Sequence, residues 1–335
     1  MKTWRSASRE AAVDPEPSVA WKRARPIALA PPAKLSSPTR WHVAYHPRRH
    51  AVRCTCSADH KARALARPGD PRNRVSALDL LSLLETARGA AHRAGIAILE
   101  VYNAVDAPDV RRKADESPVT RADERAEVII VEILRAKAPE IPVIAEETAE
   151  REGLPGSPPP RFWLVDPLDG TKEFLRRNGE FTVNIALIEG DRPMLGVVHV
   201  PALAETFAAA GPGTATRQRG DAPPEPIAAR PVPRRGAVVV HSRSHENNEK
   251  LTAYLDTLEA PVTRVSGSAI KFGLIAAGEA DLYPRFGPTM EWDTAAGQAV
   301  LEAAGGHVLG LSGEPLQYGK PGLKNDGFLA WGRRG

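Results

Sequence analysis

Apolar runs in this sequence stop on carboxylates. Phe162-Trp163-Leu164-Val165 reads as a strand and leads into Asp166-Pro167-Leu168-Asp169-Gly170-Thr171. Val143–Ala145 reads as a shorter strand and leads into Glu146-Glu147. Trp292-Asp293-Thr294-Ala295-Ala296-Gly297 opens an Ala-rich helix, and Pro118-Val119-Thr120-Arg121-Ala122-Asp123 opens another. Asp-x-x-Asp alone is weak, because surface turns are full of aspartates. Its position at the end of an apolar strand, fixed by proline, makes it a candidate site.

The chain has 335 residues, enough for one large or two intermediate domains. With 42% hydrophobic and 26% charged residues it is globular in composition, which excludes collagen-like, coiled-coil and wholly disordered readings. No run approaches the ~18 apolar residues of a membrane-spanning helix. Two cysteines cannot staple a chain this long.

The net charge of +4 averages two unlike parts. Residues 1–75 hold 16 Lys/Arg against 5 Asp/Glu, a net of +11, and the remainder carries −7. Nucleic-acid binding is therefore not expected of the body. Residues 1–75 are Pro-scattered and lack periodicity, so they read as a disordered basic extension. Three alternatives stay open for it: an organellar targeting segment, a start-site artefact with the true start near Val75, or a contact with anionic surfaces. Cys54 and Cys56, near His50 and His60, stand too close together for the usual paired zinc ligands.

The body starts at Ser76, a plausible N-cap. Leu80, Leu84, Ala87, Ala91, Ala94, Ile98 and Val101 form one helical face ending near Tyr102. A second helix spans 121–137, with Ala122, Ala126, Ile129, Ile130, Ile133 and Leu134 buried and Pro139 beyond its end. Strands follow at 181–189, 194–200 and 205–209. Pro/Gly-rich breaks fall at 154–161 and 211–233, the second being the best internal boundary. Strands at 238–241, 262–265 and 280–283 then alternate with helices at 245–258, 268–277 and 293–304. The expected fold class is α/β, α+β in a first half (76–210) and α/β in a second (234–332).

The carboxylates suggest a chemistry. Asp166 and Asp169, with the Leu168 carbonyl between them, can converge on hard cations, and magnesium takes oxygen ligands, waters and substrate phosphate. Gly170-Thr171 permits a tight turn whose next N–H groups face an anion. Two metals would clamp the attacking and leaving oxygens of an in-line displacement. Glu146, Asp166, Asp169 and Asp293 are the candidate anchors.

Asp166-Pro-Leu-Asp-Gly-Thr-Lys-Glu-Phe174, Glu146-Glu147 and Trp292-Asp-Thr-Ala-Ala-Gly297 resemble the three motifs of the lithium-sensitive, magnesium-dependent phosphatases of the inositol monophosphatase superfamily. The resemblance covers about residues 76–332. Within it the 3′(2′),5′-bisphosphate nucleotidase branch is the nearest likeness, carried by Gly170-Thr-Lys-Glu-Phe174, Gly179-Glu-Phe-Thr-Val-Asn-Ile-Ala-Leu-Ile188, Ser242-Arg-Ser-His245 and Tyr283-Pro-Arg-Phe-Gly-Pro-Thr289.

That resemblance implies a layered αβαβα sandwich. It implies magnesium on Glu146, Asp166, Asp169, Asp293 and the Leu168 carbonyl, two ions with a weaker third beside Asp123. Thr171, Glu146 and Asp123 would orient and deprotonate the attacking water, although Thr120-x-x-Asp123 is also a capping box. Gly170, Ser268, Lys271 and Arg285 would join Glu146, Leu168, Asp169, Thr171 and Asp293 around the substrate. Arg285 suits a bidentate phosphate contact. His245 would touch the nucleotide or cap its helix.

The implied activity is hydrolysis of adenosine 3′,5′-bisphosphate to AMP and phosphate in sulfate assimilation, with the 5′-phosphosulfate form as a further substrate. Inositol- or sugar-phosphate hydrolysis is the alternative, and nucleic-acid binding through the basic tail a remote one. The implied partner is a small nucleotide, the implied state monomer or homodimer, and the implied location the cytoplasm or the cytoplasmic face of the bacterial inner membrane.

Overall fold

A computed structural model describes residues 77–103, 110–112, 118–243 and 249–334. The expectations for residues 1–75, Ser76 and His245 lie outside the described residues. Helix α1 (Ala77–Tyr102) is followed by a hairpin of β1 (Val110–Arg112) and β2 (Pro118–Thr120), then α2 (Arg121–Lys137). The faces expected from spacing are the buried ones: Leu84, Ala87, Ala91, Ala94 and Ile98 on α1 meet Ala122, Ala126, Ile130 and Leu134 on α2. Small side chains on both helices allow close packing.

Behind them lies a seven-stranded sheet in the order of the chain. It comprises β3 (Val143–Ala145), β4 (Arg161–Asp169), β5 (Thr182–Glu189), β6 (Arg192–Val200), β7 (Glu205–Ala210), β8 (Thr216–Arg219) and β9 (Glu225–Pro226). β3 and β4 are parallel and the rest antiparallel. Short helices α3 (Glu146–Glu152) and α4 (Thr171–Leu175) leave the ends of β3 and β4. Both faces are covered, which is why β4 is apolar from Phe162 to Val165. Trp163 and Val165 face α1 and α2, while Phe162 and Leu164 face the opposite core.

That second core is filled by α6 (Ile270–Ala276) and α7 (Trp292–Ala303), backed by a five-stranded sheet. The sheet runs β11 (Val262–Val265), β10 (Val238–His241), β12 (Leu282–Arg285), β16 (Phe328–Trp331), β14 (His307–Gly310). α5 (Glu249–Leu255) and Leu258 cover its far side against Val239 and Leu282. A two-stranded pair, β13 (Thr289–Met290) with β15 (Lys324–Asn325), sits at the start of α7. The five layers are the expected αβαβα sandwich.

Two glycines let α7 nest into this stack. A Cβ on Gly196 of β6 would stand 2.3 Å from the Ala296 carbonyl oxygen, and one on Gly297 would stand 2.3 Å from Phe272 Cδ2. Neither position has room for a methyl group.

Some boundaries differ from expectation. The 211–233 stretch carries β8 and β9, which complete the first sheet. β4 does not stop at Val165 but runs through Pro167 to Asp169. The helix expected from Ser268 starts at Ile270, because Ser268 is left-handed (φ 41°). The strand expected at 280–283 is shifted to Leu282–Arg285, so Arg285 is a strand-end residue.

Candidate active site

The site begins with an irregularity in β4. Asp166 pairs with Asn184 and Asp169 with Thr182, three steps on β4 against two on β5. Residues three apart on a regular strand point to opposite faces. The extra residue of the bulge cancels that inversion, so both aspartates address one side. Asp166 is 1% exposed and its Oδ1 accepts from Leu168 N at 3.0 Å. Asp169 Oδ2 accepts from Ala269 N at 2.7 Å and Thr182 Oγ1 at 3.5 Å. Gly170 then turns with φ 92°, and Thr171 Oγ1 donates back to Leu168 O at 3.4 Å.

The other carboxylates arrive from three more helices. Glu146 opens α3, whose own cap residue Ala145 offers no side-chain bond. The cap comes instead from α2. Glu127, 4% exposed, accepts from Glu147 N (2.7 Å), Thr148 N (2.8 Å) and Thr148 Oγ1 (2.6 Å). Burial outweighs those bonds and pushes the Glu127 carboxyl above its ordinary range. Asp123, one turn earlier on the same face of α2, is 1% exposed. Asp293 sits in the first turn of α7, and its Oδ2 accepts from Met290 N at 2.8 Å. Glu291, fully buried, holds that helix start through Gly319 N (2.6 Å), Lys320 N (3.2 Å) and Lys320 Nζ (2.7 Å).

Electrostatics shows how these groups meet. The Asp166 carboxyl is raised well above the usual carboxylate range, first by burial and then by the charges of Glu146, Asp169, Asp293 and Asp123. Five carboxylates carried by β4, α2, α3 and α7 therefore act on one point. Like charges gathered in a buried place are relieved by a proton or by a bound cation.

Asp169, Gly170 and Asp293 also line an open cleft of about 150 Å³, together with Ser268, Lys271 and Arg285. Glu146, Asp166, Leu168, Thr171 and Asp123 do not line it. Lys271 is not a solvated lysine: it is 1% exposed, and its Nζ donates to Ser266 O (3.2 Å) and Ser268 O (2.5 Å). Burial, opposed chiefly by Asp169, lowers its pKa to about 8. Arg285 is half-buried and donates to Pro288 O at 3.2 Å. Trp163 and Trp292, beside site aspartates, are packed into the interior as expected.

The donor set fits magnesium. It is all oxygen, it is hard, and it carries excess negative charge. Among the described residues no three His, Cys, Asp or Glu side chains form a finished ligand cage. Magnesium does not require one, since one or two carboxylates, waters and substrate phosphate complete its octahedron.

Three contributors carry no signature of their own in the sequence. Glu127 looks like one more acid on a charged helix. Glu180 and Arg243 lie in stretches that carry the branch resemblance, yet nothing in their spacing shows that Arg243 Nη2 meets Glu180 Oε2 at 2.5 Å and Arg243 Nη1 meets Glu173 Oε1 at 3.5 Å.

Residues 79–329 match the inositol monophosphatase family. The 3'(2'),5'-bisphosphate nucleotidase CysQ of Salmonella typhimurium is 46% identical over 255 residues, covering 73% of this chain and 98% of that protein. The CysQ of Buchnera aphidicola is 39% identical over 265 residues, covering 78% and 96%. Among solved structures, CysQ from Bacteroides thetaiotaomicron, 39% identical, superposes with a TM-score of 0.65 over 76% of this chain and 98% of its own. The inositol monophosphatase from Anabaena, 29% identical, gives 0.60 over 76% and 92%. With a match across most of its length and relatives of this likeness, the chain belongs to the inositol monophosphatase family.

Proposed function

We propose that this protein is a 3′(2′),5′-bisphosphate nucleotidase, a phosphoric monoester hydrolase that converts adenosine 3′,5′-bisphosphate to AMP and inorganic phosphate. The observation that carries the reading is the junction of two unlike surfaces. Five carboxylates meet around Asp166, and two of them, Asp169 and Asp293, line a cleft that Lys271 and Arg285 also line. A substrate with two separated phosphates matches that layout. A monophosphate offers these two cations no second phosphate.

Glu146, Asp166, Asp169, Asp293 and the Leu168 carbonyl would hold two magnesium ions, with Asp123 beside a weaker third. Bound magnesium supplies a water of lowered pKa and charge stabilisation for the phosphoryl and leaving oxygens. Thr171 Oγ1, anchored on Leu168 O, orients the attacking water. Glu146, assisted by Asp123, accepts its proton at a carboxylate oxygen. The new O–P bond forms as the P–O3′ bond breaks, and the 3′-oxygen leaves with the bonding electron pair and takes a proton from a second water to become the ribose hydroxyl of AMP. Ser268, Lys271 and Arg285 fix the nucleotide and its 5′-phosphate, which sets the scissile phosphorus in line.

The test is phosphate release by the full chain with magnesium, on adenosine 3′,5′-bisphosphate and inositol 1-phosphate side by side, with and without lithium. A lithium-sensitive preference for the nucleotide is expected. A preference for the inositol ester would keep the carboxylate site and overturn the substrate. No hydrolysis of either would overturn both.

A further inference from the structure

The cleft wall that carries Ser268 is a turn in which charged side chains occupy the peptide groups. Glu180 Oε2 accepts from Gly267 N at 3.1 Å, Asp169 Oδ2 from Ala269 N at 2.7 Å, and Lys271 Nζ donates to the carbonyls of Ser266 and Ser268. Ser268 is held at φ 41°, a left-handed conformation that costs a non-glycine residue free energy and persists only when its surroundings impose it. Its Oγ is buried without a hydrogen-bond partner among the described residues and lies in the lining of the cleft. Position 267 is pressed against the neighbouring loop, since a Cβ there would stand 2.5 Å from Glu180 O and 2.8 Å from Glu173 Cγ.

One guanidinium lies behind this wall. Arg243 bonds the same Glu180 oxygen that receives Gly267 N, and its other arm faces Glu173, itself part of the cleft lining. The side chains of Arg243, Glu180 and Glu173 are 32%, 24% and 14% exposed, so the cluster is only partly screened by solvent.

We infer that Arg243 is the positioning residue for nucleotide selection: it fixes Glu180 under the 266–269 turn, and it cancels carboxylate charge that would otherwise face the second phosphate. This rests on the bisphosphate reading of the site. Its two effects are separable. A fork-shaped guanidinium can satisfy two carboxylates at once, which a lysine cannot. Without the Arg243 charge, Glu173 and Glu180 are less fully cancelled and repel the incoming dianion, and this repulsion weakens binding without touching the reacting phosphorus. The loss therefore belongs in KM.

The experiment compares full-length wild type, Arg243→Met, Arg243→Lys and the triple variant Arg243→Met/Glu173→Gln/Glu180→Gln. It measures kcat and KM for adenosine 3′,5′-bisphosphate and inhibition constants for AMP and inorganic phosphate. Arg243→Met is expected to raise KM and the AMP constant together by about tenfold or more, with kcat within about threefold and the phosphate constant unmoved. Arg243→Lys falls between, and the triple variant recovers most of the loss by removing the repulsion. If Arg243→Met does not fold, Arg243→Lys still reads the same split. A KM and AMP constant within twofold of wild type, or a fall in kcat with KM unmoved, overturns the inference while leaving the bisphosphate activity in place. A wild type that neither hydrolyses the bisphosphate nor binds AMP overturns both.

Discussion

Substituting Gly196 by alanine tests whether the packing of α7 sets the chemistry at its tip. The new Cβ would lie 2.3 Å from Ala296 O and 2.8 Å from Ala299 Cβ. Carbon atoms rarely approach such neighbours closer than about 3.0 Å, and ordinary contact starts near 3.4 Å, so α7 must retreat by about 1 Å. Overpacking of this size costs about 1–3 kcal/mol, which lowers Tm by several degrees for a body this large. Ala296 is one turn from Asp293, so the retreat moves that carboxylate relative to Asp166 and Asp169 on the sheet. A displacement near 1 Å in a reacting site costs up to about 100-fold. The expected result is a 10–100-fold loss in kcat, with a smaller rise in KM for the bisphosphate because α7 abuts Phe272 of α6, next to Lys271. Calorimetry and steady-state kinetics of the full chain measure both quantities. A lowered Tm with kcat within twofold of wild type would refute the link between this helix contact and the site.

Three further outcomes are expected. Glu127→Ala removes three hydrogen bonds from the start of α3 and should cost about 1–3 kcal/mol. Thermal melts should show that cost together with a drop in kcat, because Glu146 opens the same helix. The ammonium of Lys271 titrates at about 8, so kcat/KM for the bisphosphate, which reports the free enzyme, should fall as pH rises through that value. A pH–rate profile still climbing at pH 9.5 would contradict its role. His199, buried beside Gly95 and paired with Thr206 Oγ1 at 2.9 Å, has its pKa lowered from 6.5 to about 4, mainly by burial. The folded state binds fewer protons than the unfolded state between those values, so stability declines as pH falls from 6.5 to 4. The raised Asp166 and Glu127 carboxyls drift the other way, so the test is a difference: in urea denaturation at pH 7 and 4.5, His199→Gln should lose less, or gain more, stability than wild type on acidification.

Much of this fold is legible because helical and strand periods are strong here. The alternating three- and four-residue spacing of α1 and α2 gives their buried faces, and apolar density marks β4 through β7. The candidate carboxylates stand out for a related reason, since they fall where an apolar strand gives out or a helix opens. What escapes is whatever depends on a distant partner. Pro167 reads as a breaker, yet the bulge against β5 keeps β4 running past it. Ser268 carries no sign of its left-handed backbone, because that conformation is imposed by Glu180, Asp169 and Lys271 from elsewhere in the chain. Lys271 could pass for a surface cation, and only the packing of α6 shows it buried. Short β14 and β16 sit among glycines and polar turns, where neither period has room to develop.

The hydrogen bond from Ala269 N to Asp169 limits how this scaffold can diversify. A carboxylate proposed to hold metal also holds the turn that faces the nucleotide, but it grips that turn by its main chain. Side chains around the turn can therefore be exchanged among descendants that favour different phosphate esters while the hydrolytic centre stays intact. Position 269 is itself held small, because Ala269 is buried in the second core, and proline is excluded on a separate ground: it lacks the N–H, so a lineage that acquired it would loosen substrate recognition and metal retention in a single step.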